Sequence, residues 1–215
     1  QDAAVDDFIL APGAVLGLEW LGGPMERLTV SLSGNYSIFL DGTRSDDLFL
    51  DDGNTLDYQR TWNNTTLYFY DRYSYSTDPA GEPGVADNAQ FGGVRNSVGL
   101  SLSQRMGPSI LTLGFDHFDF FSTETLSDRQ ERSQNTFSLS YLLNVFPYLS
   151  VGPRVSYGIT DNKDPLFNDS DTLTAGTSAS LRVTDDIDLS ANVGLLSFGF
   201  DDNGAVAASD SSSLY

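Results

Sequence analysis

Hydrophobic and polar residues alternate with a period of two along much of this sequence. In residues 27–41 one set of alternate positions holds Leu28, Val30 and Leu32, and the other set holds mainly serine, threonine and asparagine. The alternation returns in five further segments, at 94–102, 137–145, 148–160, 171–184 and 187–195. A period of two is typical of β-strands whose two faces meet different surroundings. No segment shows a competing helical period, so the pattern predicts an all-β fold.

The alternating segments predict ten strands, near 8–20, 27–40, 55–62, 65–75, 92–105, 109–121, 135–145, 148–160, 171–184 and 187–200. Many of them have about 11–14 residues, whereas a strand of a globular protein usually has about 5–6. A tilted strand that crosses a membrane needs about 9–11 residues. We therefore predict an antiparallel up-and-down transmembrane β-barrel.

The predicted connections differ in length at the two ends of the strands. Short turns fall at 21–24, 106–108, 144–147 and 184–186, and long polar loops fall at 41–55, 75–91, 122–134, 161–171 and 201–212. Short turns on one side and long loops on the other are typical of outer-membrane barrels. This alternation requires a turn within 55–75. We place it at Asn63-Asn64, because asparagine tolerates left-handed backbone angles.

Acidic residues dominate the composition. The chain has 30 Asp and Glu against 11 Lys and Arg, which gives a net charge of −19. The five long loops hold 18 acids and four bases, whereas the strands hold six acids and seven arginines. The negative charge therefore lies mostly in the loops. Such a charge repels nucleic acid, and the lack of cysteine excludes disulfides and thiolate metal sites.

Two stretches resemble a known family. The first is Leu67 to Tyr73, followed after a Gly/Pro-rich loop by Phe91-Gly92-Gly93, and the second is the strand–turn–strand segment from Ser138 to Thr160. They resemble β-barrel porin-like outer-membrane proteins of Gram-negative bacteria, of the verrucomicrobial and exopolysaccharide-system type. The resemblance implies an outer-membrane location and a pore or structural role. It supplies no catalytic residues.

The whole chain, 1–215, is predicted to form one barrel domain. It has an N-terminal tail at 1–7, and 201–215 is a loop that contains the start of a further strand. The tenth strand ends on the long-loop side, so a barrel closed at ten strands would leave both termini there. Single-chain bacterial barrels have even strand numbers, and we expect this chain to be part of a larger barrel of about 12 or more strands.

Five charged residues are the candidate lining of a pore. Arg95, Arg154 and Arg182 lie on the Ser/Gly/Thr faces of their strands, and Asp116 and Asp188 are acids with comparable placement. Charged side chains in a pore select ions by their field. The alternative is a charge network that fills a narrow barrel, since small barrels pack their interior with side chains.

The remaining motifs offer little chemistry. Clustered aspartates in the long loops are candidates for binding divalent cations, although no spacing matches a calcium loop. His117 is the only histidine, and a single histidine cannot form the usual zinc site. No nucleophile elbow, phosphate loop or dinucleotide fingerprint occurs. We therefore expect neither enzymatic activity nor a cofactor.

The expected function is passive passage of ions or small solutes, or the anchoring of a surface assembly. Expected partners are outer-membrane lipid or lipopolysaccharide, other outer-membrane or surface protein chains, and divalent cations at the loops, with no nucleic acid. The alternative is a secreted, salt-adapted β-sandwich or surface-layer binding module, in which each strand buries one face only.

Overall fold

The fold is that of a computed structural model of the chain. The structure describes residues 9–39, 47–76, 93–122, 131–164, 167–184, 187–201 and 209–214. The predicted tail at 1–7 lies outside the described residues. The same is true of the central parts of the five predicted long loops and of Asp185 and Asp186 in the last short turn.

Twelve β-strands make up the described part of the chain. They are β1 (Ile9–Leu10), β2 (Gly13–Gly23), β3 (Glu26–Phe39), β4 (Asp47–Trp62), β5 (Thr65–Ser76), β6 (Gly93–Met106), β7 (Ser109–Ser122), β8 (Arg132–Phe146), β9 (Leu149–Asn162), β10 (Ser170–Thr184), β11 (Ile187–Phe200) and β12 (Ser209–Leu214). The ten long strands, β2 to β11, have 11 to 16 residues each and correspond to the ten predicted strands. The all-β prediction is confirmed.

The strands form one antiparallel sheet in which sequence neighbours pair. The order runs from β3 to β12 without a crossover, and both β1 and β2 pair with β3 on its other side. The described strands thus build a single up-and-down sheet rather than the two packed sheets of a sandwich. Among the described residues the sheet is open, with β2 and β12 at its edges.

The two edge strands run in the same direction. We call the ends of the strands that lead to the long loops the upper ends. β2 starts beside the upper part of β3, at the Gly13–Asn35 pair, and runs down to the short turn at Gly23. β12 starts beside Phe200, at the upper end of β11, and also runs downward. Because both edges descend, a direct pairing of β2 with β12 would be parallel.

Several strands extend further toward the long loops than the sequence predicts. β4 begins at Asp47 inside the predicted loop 41–55, β8 begins at Arg132 inside 122–134, and β12 occupies part of 201–212. The loop predictions were wrong at these positions. At the starts of β8 and β12 both faces are polar, so the period of two disappears although the backbone ladder continues. At the start of β4, Leu48, Phe49 and Leu50 are apolar on both faces, and the extra residues of a bulge then interrupt the period.

β4 contains the main irregularity of the ladder. Between Leu50 and Thr55 it has two more residues than β3 has between Gly34 and Ser31. Asn54 bridges the gap, since its Oδ1 accepts a hydrogen bond of 2.7 Å from the Ser33 N–H and its Nδ2 donates one of 2.9 Å to the Ser33 carbonyl. The amide side chain therefore replaces the missing backbone partner of the bulge.

The register separates two chemically different faces, since residues directly opposite each other share a face. One row joins Leu67, Leu102, Leu113, Leu139, Val155, Ala175 and Leu195. The adjacent row joins Thr66, Ser103, Thr112, Ser140, Arg154, Gly176 and Gly194. We call the face of the first row the outer face and that of the second row the inner face.

Burial in this fold is the reverse of that in a water-soluble domain. Among the described residues only one hydrophobic side chain is buried, that of Phe120 at 4% exposure, whereas 32 large hydrophobic side chains are exposed. Soluble monomers rarely expose apolar patches larger than a few hundred Å². The exposed outer face therefore requires an apolar environment outside the sheet.

The β4–β5 hairpin confirms the predicted turn at Asn63-Asn64. Trp62 pairs with Thr65, and Asn63 has a φ of 51°, which makes it the one described residue other than glycine with a positive φ.

We expect Asn63→Ala to lower the free energy of unfolding by about 1 kcal/mol, because a β-carbon is disfavoured at left-handed backbone angles and asparagine offsets part of that cost. Asn63→Gly should have almost no effect. Asn64→Ala is the matched control, because the φ of Asn64 is not positive. Denaturant titration in detergent micelles measures these differences, and equal losses for Asn63→Ala and Asn64→Ala would contradict the assignment.

Candidate functional site

The five predicted pore residues all belong to the inner face by register. Arg154 lies opposite Ser140 and Gly176, and Asp116 lies opposite Gly99 and Thr136. Arg95 and Arg182 share this face with them, because they pair with residues of the same rows. Asp188 lies opposite Arg182 in the ladder, and its side chain lies outside the described residues.

Tyrosine–carboxylate bonds tie the inner faces of β4 to β7 together. The Tyr68 hydroxyl donates a hydrogen bond to Asp57, and the Tyr70 hydroxyl donates one to Asp116. The second bond joins β5 to β7 across β6. The guanidinium carbon of Arg72 lies 4.6 Å from the centre of the Tyr70 ring, a distance at which a cation is attracted by the ring.

Gly99 makes room for this network. It lies on β6, directly between Tyr70 and Asp116. A β-carbon at this position would overlap the Tyr70 ring and lie 2.7 Å from an Asp116 carboxylate oxygen. The glycine therefore allows the tyrosine to lie across β6 and reach the carboxylate on the far side.

Sequence reasoning missed Asp57, Arg72 and Arg132 as inner-face residues. β5 has bulky residues on both faces, with Tyr70 on one and Phe69 on the other, so hydrophobic alternation does not separate its faces. Arg132 was assigned to a loop. Alternate residues of a strand share a face. Extending the polar faces of the neighbouring strands in steps of two residues would have placed all three on the inner face.

Arginine outnumbers the carboxylates on the inner face. Among the described side chains it holds Arg27, Arg72, Arg95, Arg105, Arg132, Arg154 and Arg182, against Glu19, Asp57 and Asp116. Asp47 and Asp188 also pair with residues of this face, and their side chains lie outside the described residues. Among the described side chains the inner face is therefore net positive, although the chain as a whole is strongly negative.

The inner face has two unlike halves. On β4 to β7 it holds long side chains such as Gln59, Tyr68, Tyr70, Arg72, Phe118 and Phe120. On β8 to β11 it holds mainly small residues, such as Ser138, Ser140, Ser156, Thr174, Gly176 and Ser178. A polar groove of about 290 Å³ on the bulky half lies between β3, β4 and β5.

A polar belt crosses the outer face near the long-loop ends of the strands. It consists of Asp71, Asn96, His117, Asp119, Asn135, Asp161 and Asp171. Asn96 Nδ2 donates a 2.8 Å hydrogen bond to Asp71, and His117 contacts Asn135 and Asp119 at 2.9 Å and 2.8 Å. His117 thus lies at the upper margin of the apolar surface.

Aromatic side chains mark both margins of the apolar band. Trp20, Trp62, Phe146 and Tyr148 lie at the short-turn end, and Tyr36, Tyr73 and Phe121 lie toward the long loops. Two further aromatics near the long-loop end, Phe198 and Phe200, belong instead to the inner face by register. Their alternation was ambiguous because β11 has Gly199 and Ser197 at the outward positions of this end.

No group of three or more metal-ligating His, Cys, Asp or Glu side chains occurs among the described residues. Within the same residues, no helix is long and apolar enough to span a bilayer.

No protein-family model matches the chain, and no curated protein matches its sequence. Solved structures match its fold. One is OmpTΔL8, a loop L8 deletion mutant of OmpT, an outer membrane protein of Vibrio cholerae, with a TM-score of 0.53 and 6% identity over 87% of this chain and 57% of that one. Another is in-vitro folded OmpT, with a TM-score of 0.50 and 8% identity over 86% and 58%.

The chain therefore has the antiparallel strand arrangement of an outer-membrane β-barrel and spans somewhat more than half the length of these two proteins. The barrel class that the sequence predicted is confirmed. The narrower resemblance, to barrels of the verrucomicrobial or exopolysaccharide-system type, stays a prediction.

We expect Gly99→Ala to lower the free energy of unfolding by about 1–3 kcal/mol, because the added methyl group displaces the Tyr70 ring from its bond to Asp116. Gly17→Ala is the matched control, since no atom lies within 4 Å of the position of its β-carbon. Denaturant titration of both variants in detergent measures the difference. Equal stability of the two variants would show that the space above Gly99 is not required.

Proposed function

We propose that this chain forms the wall of an outer-membrane β-barrel that gives passive passage to ions or small solutes. The observation that supports it most is the inverted distribution of side chains, with a continuous apolar outer face and a polar inner face. A bilayer stabilises such an outer face, and only helices and closed barrels satisfy all backbone hydrogen bonds within it. The inner face then lines an aqueous lumen.

The height of the apolar band fits a membrane. On β9 the outward apolar positions run from Leu149 to Ile159. At roughly 3.3 Å per residue and a tilt of about 40°, this segment rises roughly 25 Å along the barrel axis, which equals the usual height of the band. Asp161 and Asp171 lie just above it, in the zone of polar headgroups.

Closure of this barrel requires further strands. Because β2 and β12 descend together, an all-antiparallel wall needs an odd number of additional strands between them. A second copy in the same orientation would again bring a descending β2 against β12. The proposed barrel therefore contains at least one ascending strand beyond the described ones, in keeping with the greater length of the matched structures.

Anchoring of a surface assembly is the second candidate function. The tyrosine–carboxylate network on β4 to β7 favours it, because these side chains occupy part of the inner space. The acidic loops would then face outward and offer carboxylates to divalent cations, lipopolysaccharide or other surface chains.

A charge introduced on the outer face should be far more costly than the same charge on the inner face. Leu139, which is 44% exposed, faces outward, and its neighbour Ser138 faces inward. In lipid vesicles Leu139→Arg is expected to lower the free energy of unfolding by about 2–4 kcal/mol, because arginine is transferred into hydrocarbon near the membrane midplane. Ser138→Arg is the matched control, since its guanidinium stays in water.

Urea titration of both variants in vesicles measures the difference. A water-soluble protein would tolerate both changes within about 0.5 kcal/mol, because half-exposed surface positions are insensitive to substitution. Equal stability of Leu139→Arg and wild type would therefore overturn the membrane assignment.

Passage is measured in a planar lipid bilayer. The full-length protein, including the strands that close its wall, is purified in detergent and shown to be folded. It should produce stepwise increases of conductance in potassium chloride, whereas detergent alone should produce none. A folded protein that inserts without conductance would overturn the passage function and leave the anchoring function.

A further inference from the structure

Three arginines follow the small-residue half of the inner face from one end to the other. Arg132 is the first residue of β8 at the long-loop end, Arg154 lies near the middle of β9, and Arg182 lies near the short-turn end of β10. We propose that the passage runs along this half of the wall and is selective for small anions, with Arg154 as the residue that determines selectivity. This inference rests on the passage function proposed above.

The surroundings of Arg154 suit an anion contact. The residues opposite it are Ser140 and Gly176, which are among the smallest that a strand can offer. The Arg154 side chain is exposed, and no described side chain hydrogen-bonds or ion-pairs with it. Within the described part of the chain its five N–H donors are therefore available, and arginine recognises carboxylates and phosphates through such donors.

Other inner-face arginines are engaged differently. Arg27 forms an ion pair of 2.9 Å with Glu19, and the guanidinium of Arg132 lies 5.7 Å and 5.8 Å from the Phe118 and Phe120 rings. Arg154 thus differs from these two in having neither a carboxylate nor a ring beside it within the described part of the chain.

The described inner-face carboxylates on β2 to β7 are each engaged by a neighbouring side chain. Asp57 and Asp116 each accept a hydrogen bond from a tyrosine, and Glu19 is paired with Arg27. These contacts hold the carboxylates against their own half of the wall. By register the small-residue half presents Arg132, Arg154 and Arg182 to mobile ions, with Asp188 opposite Arg182, so its surface is net positive.

The acidic loops do not cancel this effect at moderate salt. The upper end of β9, Asn162, lies roughly 20 Å above Arg154 along the axis, at about 3.3 Å per residue and a tilt of about 40°. The Debye length is only about 10 Å at 0.1 M ionic strength. The loops therefore act on the mouth, and the charge beside Arg154 sets the selectivity inside.

The experiment is a reversal-potential measurement with the full-length protein in a planar bilayer, under a tenfold gradient of potassium chloride starting from 0.1 M. For the wild type we expect the sign of the potential that chloride permeation produces. Arg154→Gln should shift the potential toward that of potassium, Arg154→Glu should shift it further, and Arg154→Lys should keep the sign of the wild type. Arg60→Gln is the matched control, because Arg60 lies on the outer face, opposite Leu67.

The outcomes distinguish failure of the Arg154 inference from failure of the proposed passage function. Conductance with a potassium-selective potential, or with a chloride potential that Arg154→Gln leaves unchanged, overturns the role of Arg154 and keeps the passage function. Absence of conductance from folded, inserted protein overturns both. A shift in Arg60→Gln as large as that in Arg154→Gln would show a general charge effect and would also overturn the assignment to this wall.

Discussion

Backbone hydrogen bonding between neighbouring strands is the interaction on which the rest of this structure depends. In an apolar medium an unpaired N–H or C=O group costs several kcal/mol, so the ladder has to be nearly continuous. It is continuous over most of each long strand, and where β4 bulges, Asn54 replaces the missing backbone partner. Because the ladder itself holds the sheet together, the fold needs hardly any apolar core, and Phe120 is the one buried hydrophobic residue in the described part of the chain.

A continuous ladder leaves the two faces of the sheet free to specialise. The outer face is mostly apolar, since any large apolar residue satisfies a lipid environment, and its charged residues lie at the margins. The inner face is varied, because each of its side chains needs water or a specific partner. Glycine leaves space on this face. At Gly99 the lack of a side chain lets Tyr70 reach Asp116. The negative charge of the chain thus lies mainly in the loops. The outer face is mostly uncharged, and the described side chains of the inner face are net positive.

Much of this fold was predictable from the sequence, because a period of two encodes both the strand and its two faces. The inward positions of Arg95, Arg154 and Asp116 followed from that period, and the Asn63-Asn64 turn followed from the alternation of short and long connections. The starts of β4 and β8 did not, because a bulge interrupts the period in β4 and both faces of β8 are polar at its start. The bond between Tyr70 and Asp116 also lay beyond sequence reasoning, since it depends on the register of three strands and on the space above Gly99. Alternation assigns a residue to a face but not to a partner.

The pairing of each long strand with its neighbours in sequence has a consequence for how the chain assembles. Hairpins joined by two-residue turns, such as Asn63-Asn64 and Gly107-Pro108, close the shortest possible loops, and short loops cost the least chain entropy. Contacts of low sequence separation also form fast. The wall can therefore grow hairpin by hairpin, and only the meeting of its two edges joins residues far apart in the chain. Closure of the wall requires that every earlier hairpin has the correct register. A slip by one residue would exchange the apolar and the polar face of a strand.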